Sequence, residues 1–318
     1  MNSLNEIAQF LKNTDNFVIL THRYPDGDTL GSAFALCRAL RALGKKSKVI
    51  VNSDKLARKF EYLAEGMEEQ HFDVQTVIAV DIASASLLGD LQSEYEGRVD
   101  VSVDHHGMNS PFARLTYVNA KAAANAENIY HLIKELGAEI DKKTADCIYT
   151  GICTDTGCFK FSNVTPDTMR IAAELMETGC DSALINRIMF DTKTMARIRM
   201  EQAALSTLTM HCGGKIAVVY TTLKMEKDTG ADESDTDGLA ALPRQIEGVV
   251  VGITIREKGE NSYKASVRTV DGCSAASICS IFGGGGHHAA GGCTLQGTIE
   301  EVRAKLVEAA ENEIAKSI

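Results

Sequence analysis

The stretch FVILTHRYPDGDTLGSAFALCRALRALG (residues 17–44) contains the pattern that decides the fold. It begins with the apolar run FVILT, which has the unbroken character of a strand buried on both faces. A polar turn follows, and Thr29 to Leu43 then has helical spacing, closed by Gly44, a residue type that commonly follows a helix C-terminus. A buried strand joined to a helix in this way begins a βαβ unit and predicts a parallel sheet covered by helices.

The same alternation continues through the first half of the chain. The further strand patterns are SKVIV (47–51), TVIAV (76–80) and DVSV (100–103), and helical patterns follow near 122–136, 142–154 and 166–211. We therefore predict an α/β fold whose N-terminal domain is a doubly wound parallel sheet.

The pattern changes from Lys215 onward. Strand patterns occur at 216–222, 249–257 and 262–270, and the last two are close enough to form an antiparallel hairpin. The remaining elements are a solvated acidic loop from Asp228 to Asp237, a helix near 273–281, a glycine loop at 283–292 and a terminal helix near 298–316. The expected organisation is a first domain at 1–190, a helical linker at 191–213 and a smaller C-terminal α/β domain with a mixed sheet at 214–318.

The composition limits the function classes. A chain of 318 residues, 44% of them hydrophobic, is long enough for two domains with cores of their own. The net charge of −10 disfavours a protein that tracks along duplex nucleic acid, because such proteins carry basic surfaces that contact phosphates. Neither a membrane-spanning run nor a signal-peptide pattern is evident, so a cytoplasmic location is expected.

The nine cysteines do not have the spacing of a metal site. Cys147, Cys153 and Cys158 form no CxxC pair, and neither do Cys273 and Cys279. We expect reduced thiols that mostly fill small core positions, without a structural zinc site.

Acidic and histidine residues lie where the predicted strands end. They are His22, Asp26 and Asp28 after 17–21, Asp81 after 76–80, Asp104, His105 and His106 after 100–103, and Asp155 at the end of the helical pattern 142–154. Taken singly, each aspartate is also explained as a helix cap or turn residue, and each histidine as a buried, hydrogen-bonded side chain. Together, they place five carboxylates and three imidazoles at one sheet edge, where their repulsion would be severe without cations.

This set of donor atoms predicts a particular chemistry. Oxygen-rich ligation with a few imidazoles suits manganese, magnesium or iron better than a metal that prefers thiolates. Two cations about 3.5–4 Å apart, with a bridging carboxylate, clamp the attacking and leaving oxygens in phosphoryl hydrolysis. The sequence therefore predicts a hydrolase that uses two divalent cations and an activated water, with Mn²⁺ as the first choice and Mg²⁺ or another divalent metal as the alternative.

The motifs resemble those of the DHH phosphoesterases over nearly the whole chain. In chain order, the matching motifs are HxxxDxD at His22, Asp26 and Asp28, the strand-end Asp81, the triplet Asp104-His105-His106, and Asp155 in the sequence DTG. The resemblance implies one cation bound by His22, Asp26 and Asp81. It implies a second cation bound by Asp28, Asp81, His105 and Asp155, so that Asp81 is the bridge.

The resemblance also implies roles for neighbouring residues. Asp104 would lie behind the cations and orient the histidines, while His106 would lie beside the reacting phosphate and stabilise charge or help to protonate the leaving group. With the bridging Asp81, these two residues form the implied catalytic set. Asn109 matches a further substrate-binding position, although Met108 stands where a serine is common.

The segment FGGGGHHAAGGC (282–293) is a second motif. Consecutive glycines let backbone N–H groups approach an anion, although glycines alone are also explained by a flexible hinge. The segment resembles the GGGGH-x-x-A-A-G signature of the DHH-associated domain, with Gly291 in place of the second alanine. The residues that the resemblance implies for substrate binding are Gly283, Gly284, Gly285, Gly286, His287 and His288, together with Arg268, which would bind a phosphate bidentately.

The implied function is that of the short stand-alone family members, which act as oligoribonucleases on nanoRNA or as phosphatases of 3′-phosphoadenosine-5′-phosphate (pAp). The partner would be short single-stranded RNA or a nucleotide, without long duplex nucleic acid or a membrane, and the resemblance is compatible with a homodimer. Hydrolysis of cyclic or linear dinucleotides such as c-di-AMP or pApA is a close alternative. More distant alternatives are an exopolyphosphatase or pyrophosphatase, and a binding module with an inactive site.

Overall fold

The computed structural model describes residues 1–53, 55–270 and 272–316. Contacts between residues divide the chain into two compact units, Met1–Thr192 and Lys193–Ile318, and the division falls inside the predicted linker 191–213. Each unit has a hydrophobic core of its own. No helix within the described residues is long and apolar enough to cross a membrane.

Five strands of the described chain form the sheet of the first unit. They are β1 (Phe17–Leu20), β2 (Ser47–Ile50), β3 (Thr76–Val80), β4 (Val101–Asp104) and β5 (Leu115–Val118). All of them pair in parallel, in the order β2-β1-β3-β4-β5. Phe17 and Ile19 face one core while Val18 and Leu20 face another, which explains the unbroken apolar run of β1. The predicted α/β class and parallel sheet are confirmed.

The strand order reverses beside β1. β2 lies on one side of it and β3 on the other. In open sheets of this kind, ligands bind beyond the carboxyl ends of the strands at the point of reversal. His22 follows β1 and Asp81 follows β3, so both residues lie at this point.

Helices cover the faces of the first sheet. They are α1 (Leu4–Lys12), α2 (Gly27–Ala42), α3 (Gln92–Tyr95), α4 (Asn125–Leu136), α5 (Lys142–Asp155), α6 (Pro166–Glu177) and α7 (Ser182–Asn186), with 3₁₀ turns at Arg58–Ala64 and Ala85–Leu91. Gly44 follows α2 with φ 78°, as expected for a glycine just beyond a helix.

Helices α2 and α5 approach each other closely through glycines. A Cβ on Gly31 would lie 2.4 Å from the carbonyl oxygen of Cys147 and 2.9 Å from the nitrogen of Gly151. A Cβ on Gly151 would lie 2.8 Å from a carboxylate oxygen of Asp28. This packing brings the first turn of α2 against the last turns of α5, which ends at Asp155.

Six strands of the described residues form a mixed sheet in the second unit. They are β6 (Thr209–His211), β7 (Ile216–Thr221), β8 (Val251–Gly259), β9 (Ser262–Thr269), β10 (Gly285–His287) and β11 (Ala290–Gln296). Their order is β10-β11-β9-β8-β7-β6, in which β7 and β8 are parallel and the other pairs antiparallel. The predicted mixed sheet and the β8–β9 hairpin are confirmed.

The helices of the second unit pack against both faces of its sheet. They are α8 (Met195–Leu205), α9 (Leu223–Thr229), α10 (Glu233–Thr236), α11 (Ala275–Ser280) and α12 (Ile299–Lys316). Buried side chains of α11 and α12 share a core with alternate residues of β8, β9 and β11.

The helical pattern predicted at 166–211 contains several separate helices and ends in a strand. The chain leaves α6 and passes through Gly179, whose φ of 90° cannot continue a helix, before α7 and a π-helical turn at Arg187–Asp191. It then forms α8 and finally β6. The sequence patterns also do not predict β5 and β6, because both strands are short and only partly buried, so the apolar signal is weak.

Two predicted loops contain regular structure instead. The acidic stretch Asp228 to Asp237 includes the end of α9 and all of α10, and Asp235 is buried, where it accepts a hydrogen bond of 2.5 Å from Thr194 Oγ1. The predicted glycine loop at 283–292 contains β10 and the start of β11. Because glycine has low strand propensity, the strand conformation of this segment is determined by backbone pairing with a neighbouring strand. That pairing is not visible in the sequence.

Gly31→Ala is expected to destabilise the first unit, because the added methyl group would collide with the backbone of α5. Overpacking of this kind costs about 1–3 kcal/mol in the free energy of unfolding. Differential scanning calorimetry should show a lower melting temperature. Gly259→Ala is the matched control, since a Cβ there meets no atom within 4 Å. An unchanged melting temperature for Gly31→Ala would contradict the close packing.

Candidate metal centre

His22 and Asp26 lie in the turn between β1 and α2. Asp26 is the N-cap of α2, and its Oδ1 accepts hydrogen bonds from the backbone N–H groups of Asp28 at 3.0 Å and Thr29 at 3.1 Å. The same oxygen lies 3.7 Å from His22 Nε2. Capping therefore fixes the direction of the carboxylate while leaving it next to the imidazole.

Asp28 is fully buried in the first turn of α2. Its carboxylate accepts hydrogen bonds from the backbone N–H groups of Asn125 at 2.5 Å and Ala126 at 2.8 Å. These N–H groups open α4 and have no partner within that helix. The N-terminus of α4 therefore stabilises negative charge on a side chain nearly a hundred residues earlier in the chain.

Asp81 follows β3 in a strained backbone conformation. Its φ is 59°, in the left-handed region that residues with side chains seldom adopt. The residue is only 3% exposed, and its Oδ1 is buried without a hydrogen-bond partner among the described residues. A buried carboxylate oxygen without a donor is unfavourable, so this atom is suited to binding a cation.

His105 and His106 follow β4 and use their Nδ1 atoms differently. Nδ1 of His105 lies 3.2 Å from the carbonyl oxygen of Ala122, which leaves Nε2 directed at the neighbouring carboxylates. Nδ1 of His106 lies 2.8 Å from Oδ1 of the fully buried Asp104, whose Oδ2 accepts a 2.6 Å hydrogen bond from Asn109. Both carboxylate oxygens of Asp104 are therefore engaged by hydrogen bonds from His106 and Asn109.

Nε2 of His105 lies at the centre of the acidic cluster. It is 3.7 Å from Asp28 Oδ2, 3.5 Å from Asp81 Oδ1 and 3.4 Å from Asp155 Oδ2. The other oxygen of Asp81 lies 3.7 Å from His22 Nε2. Asp81 thus presents one oxygen to each of the two histidines.

The cluster contains groups of side chains that could hold a divalent cation. Within each group, the ligand atoms lie within 4.8 Å of one another. The groups are His22, Asp26 and Asp81; Asp28, His105 and Asp155; and Asp81, His105 and His106. Most of these residues line one pocket of about 210 Å³, together with Arg23, Tyr24 and Leu87.

The carboxylates of the cluster are close enough to perturb one another's pKa values. Burial, followed by the charges of Asp28 and Asp26, raises the pKa of Asp81 well above its usual range. The same causes raise the pKa of Asp155 to about 9, at the C-terminal end of α5, where the helix dipole also disfavours an anion. The hydrogen bond to Asp104 raises the pKa of His106. Divalent cations would offset this repulsion and keep the carboxylates ionised.

Sequence reasoning missed several residues that support or border the cluster. Asn128 donates to the backbone oxygen of Asp104, and Asn163 donates to that of Asp155, both at 3.2 Å. No sequence signal could have found these contacts, since an asparagine far along the chain is also an ordinary turn residue. By contrast, Arg23 lines the pocket and follows His22 directly in the sequence, so its position could have identified it as a residue of the site.

The other predicted substrate-binding residues lie in the second unit. Arg268 is half-buried at the end of β9 and pairs in register with Ala290 of β11. Gly283 to Gly286, His287 and His288 belong to the segment that leads into β10 and through the turn after it, and both histidines are exposed. One edge of the second sheet therefore brings this set together.

Family models match both units of the chain. The model described as the DHH family, N-terminal domain, matches residues 16–152. The model described as the DHHA1 domain matches residues 213–316.

The chain is also similar over nearly its whole length to curated proteins. It is 36% identical over 317 residues to the bifunctional oligoribonuclease and PAP phosphatase NrnA of Thermus thermophilus, covering 98% of this chain and 94% of that protein. It is 25% identical over 297 residues to the protein of the same name from Bacillus subtilis, covering 91% and 92% of the two chains.

A solved structure has the same fold. The exopolyphosphatase-related protein from Bacteroides fragilis superimposes with a TM-score of 0.89, covering 97% of this chain and 95% of that one. At 24% sequence identity, this likeness concerns the fold and not the reaction.

Mn²⁺ added to protein freed of metal by a chelator is expected to raise the melting temperature, because cations offset the repulsion within the cluster. Asp81→Asn should abolish most of this rise. In chelator, the variant should melt at or above the wild-type temperature, since it lacks a buried like charge. A thermal-shift assay with the exposed Asp73→Asn as control measures both effects. An equal cation-dependent rise in Asp81→Asn and wild type would contradict the site.

Proposed function

This chain belongs to the DHH family, and on that basis we propose that it is a metal-dependent hydrolase of short oligoribonucleotides and pAp. The products would be nucleoside 5′-monophosphates from the oligoribonucleotides, and AMP and phosphate from pAp. The observation that carries the proposal is the meeting of two oxygen-rich donor groups at Asp81. The likeness over nearly the whole chain to proteins named for both activities supports this substrate class.

Two divalent cations would be bound by side chains that share Asp81. The proposed ligands are His22, Asp26 and Asp81 for one cation, and Asp28, Asp81, His105 and Asp155 for the other. The carboxylate oxygens suit both Mn²⁺ and Mg²⁺, and the additional imidazole nitrogens make Mn²⁺ the first choice, with Mg²⁺ or another divalent metal as the alternative. When bound, the cations activate a water molecule and stabilise the negative charge that develops on the phosphoryl group.

His106 is proposed to protonate the leaving oxygen. Its Nδ1 is held by Asp104, which is itself fixed by Asn109, so the orientation of the ring is set. The side chain is 42% exposed and lines the pocket, which leaves Nε2 on the opposite side of the ring accessible to a substrate. In the proposed reaction, Nε2–H donates its proton to the leaving group. Asp104 and Asn109 then act as positioning residues for His106.

The second unit is proposed to contribute to substrate binding. The proposed residues are Arg268, Gly283 to Gly286, His287 and His288. With a net charge of −10, the chain does not have the excess of cations that long nucleic acid requires. A substrate of one to a few nucleotides therefore suits this protein better than a long strand.

With Mn²⁺, the protein is expected to hydrolyse pAp and RNA of two to five nucleotides, with turnover falling as length increases, and a chelator should abolish both activities. Product release from pAp, pApA, short RNA, a 20-mer, c-di-AMP and polyphosphate under one set of conditions tests this expectation. Equal rates on the 20-mer and the dinucleotide would contradict the preference for short substrates. Turnover of c-di-AMP alone or polyphosphate alone would favour the corresponding alternative function.

His106→Gln is expected to lower kcat by about 10²- to 10⁴-fold, the range for loss of a general acid, with KM close to the wild-type value. The cation-dependent rise in melting temperature should persist, because Nδ1 of His106 is engaged by Asp104. His131→Gln, on the surface of α4 near Asp167, is the matched control. A wild-type kcat for His106→Gln would rule out the proton-transfer role.

A further inference from the structure

One face of the second sheet carries a row of basic and small side chains. His287 of β10 is the register partner of Ala290, Ala290 is the partner of Arg268, and Arg268 is the partner of Gly252 of β8. Directly opposed residues in antiparallel strands project to the same face. His287 and Arg268 therefore share a face, with the small Ala290 between them and Gly252 on the far side of Arg268.

The opposite face of these strands is the core face. Ile253 and Val267, one residue away from members of the row, are fully buried in the core that includes α11 and α12. The row itself lies on the other face, where Thr254 Oγ1 donates a 3.1 Å hydrogen bond to the carbonyl oxygen of Leu239. A segment that precedes β8 therefore packs beside the row.

Arg244 belongs to this segment and extends the row because residue 252 is a glycine. A Cβ on Gly252 would lie 2.6 Å from the backbone nitrogen of Arg244 and 3.1 Å from its Cα and Cβ. The backbone of Arg244 thus lies directly over Gly252, on the face to which Arg268 projects. Any side chain at position 252 would displace it, so the glycine allows the two arginines to be neighbours.

These two arginines lack a negative partner among the described side chains. Arg268 donates a 3.1 Å hydrogen bond to the carbonyl oxygen of Val267, and neither it nor Arg244 forms an ion pair with a described carboxylate. By contrast, Arg256, on the same face of β8, lies 3.6 Å from Glu226. Burial, followed by the charge of Arg244, lowers the pKa of Arg268. Two neighbouring arginines that form no ion pair with a described carboxylate indicate a binding site for an anion.

We propose that Arg244 is a second phosphate-binding residue, which acts with Arg268 to bind a terminal phosphate monoester of the substrate. The identity of the substrate in this inference rests on the proposed function. Two guanidinium groups match the two negative charges of a phosphate monoester, whereas an internal diester carries only one. The pair therefore selects substrates that have a terminal phosphate in addition to the phosphate that is cleaved, as pAp does.

The kinetic test compares pAp with adenosine 3′-monophosphate, which lacks the 5′-phosphate. Arg244→Ala is expected to raise KM for pAp by about 10- to 100-fold with little change in kcat, the effect of losing a charge-assisted hydrogen bond. The kcat/KM for adenosine 3′-monophosphate should stay close to wild type. Arg244→Lys, which keeps the charge but not the bidentate geometry, should be intermediate. Lys305→Ala, at an exposed cation of α12, is the matched control and should behave as wild type.

A binding measurement separates this proposal from the proposed function. In calorimetry with the full chain and no added divalent metal, wild type should bind AMP more tightly than adenosine, and Arg244→Ala should bind the two with similar affinity. If wild type hydrolyses neither pAp nor short RNA, the proposed function is wrong, but AMP binding that depends on Arg244 still supports the phosphate site.

Several results would overturn the role of Arg244. They are a wild-type KM for pAp in Arg244→Ala, an equal loss on pAp and adenosine 3′-monophosphate, and wild-type protein that binds AMP no better than adenosine. The melting temperature of each variant is measured alongside. If Arg244→Ala does not fold, the comparison of the two substrates is made with Arg244→Lys, which retains the packing over Gly252.

Discussion

The electrostatic repulsion among carboxylates at the carboxyl edge of the first sheet is the main physical constraint on the first unit. Ligand atoms of Asp26 and Asp81, and of Asp28 and Asp155, lie within 4.8 Å of one another. At an effective dielectric constant of about 20, two unit charges about 4 Å apart repel by about 4 kcal/mol, a large part of the free energy of unfolding of a typical domain. The fold nevertheless positions these groups, through backbone N–H donors at Asp28 and a left-handed backbone at Asp81. An arrangement this unfavourable in the absence of cations indicates a site that is built to bind them.

Much of this site could be predicted from the sequence, because parallel strands bring their carboxyl ends to one edge. Apolar runs that end in His22, Asp81 and Asp104 therefore predict that these residues meet, however far apart they lie in the chain. The sequence could not show how the acids differ. Asp104 accepts two side-chain hydrogen bonds, whereas Oδ1 of Asp81 accepts none from the part of the chain that the structure describes, and this difference depends on tertiary neighbours such as Asn109.

In the second unit, the pairing of the glycine segment and the position of Arg244 could not be predicted from the sequence. The composition of the glycine segment distinguishes it in the sequence, but its pairing as β10 and β11 depends on contacts with β9 that glycine propensity does not predict. Arg244 gives no signal at all in the sequence, since it is one arginine in an irregular segment. Its importance emerges only from the strand register, which places Gly252 opposite Arg268 and leaves room above the glycine for the backbone of Arg244.

The central claim is that the acidic cluster binds two divalent cations bridged by Asp81. The most direct test is anomalous diffraction at the manganese absorption edge from crystals of the full chain equilibrated with Mn²⁺. The account predicts two peaks about 3.5–4 Å apart, the separation typical of two-metal hydrolases, one beside His22 and one beside His105, with Asp81 between them. A single peak away from Asp81, or no peak at this edge of the sheet, would contradict the claim.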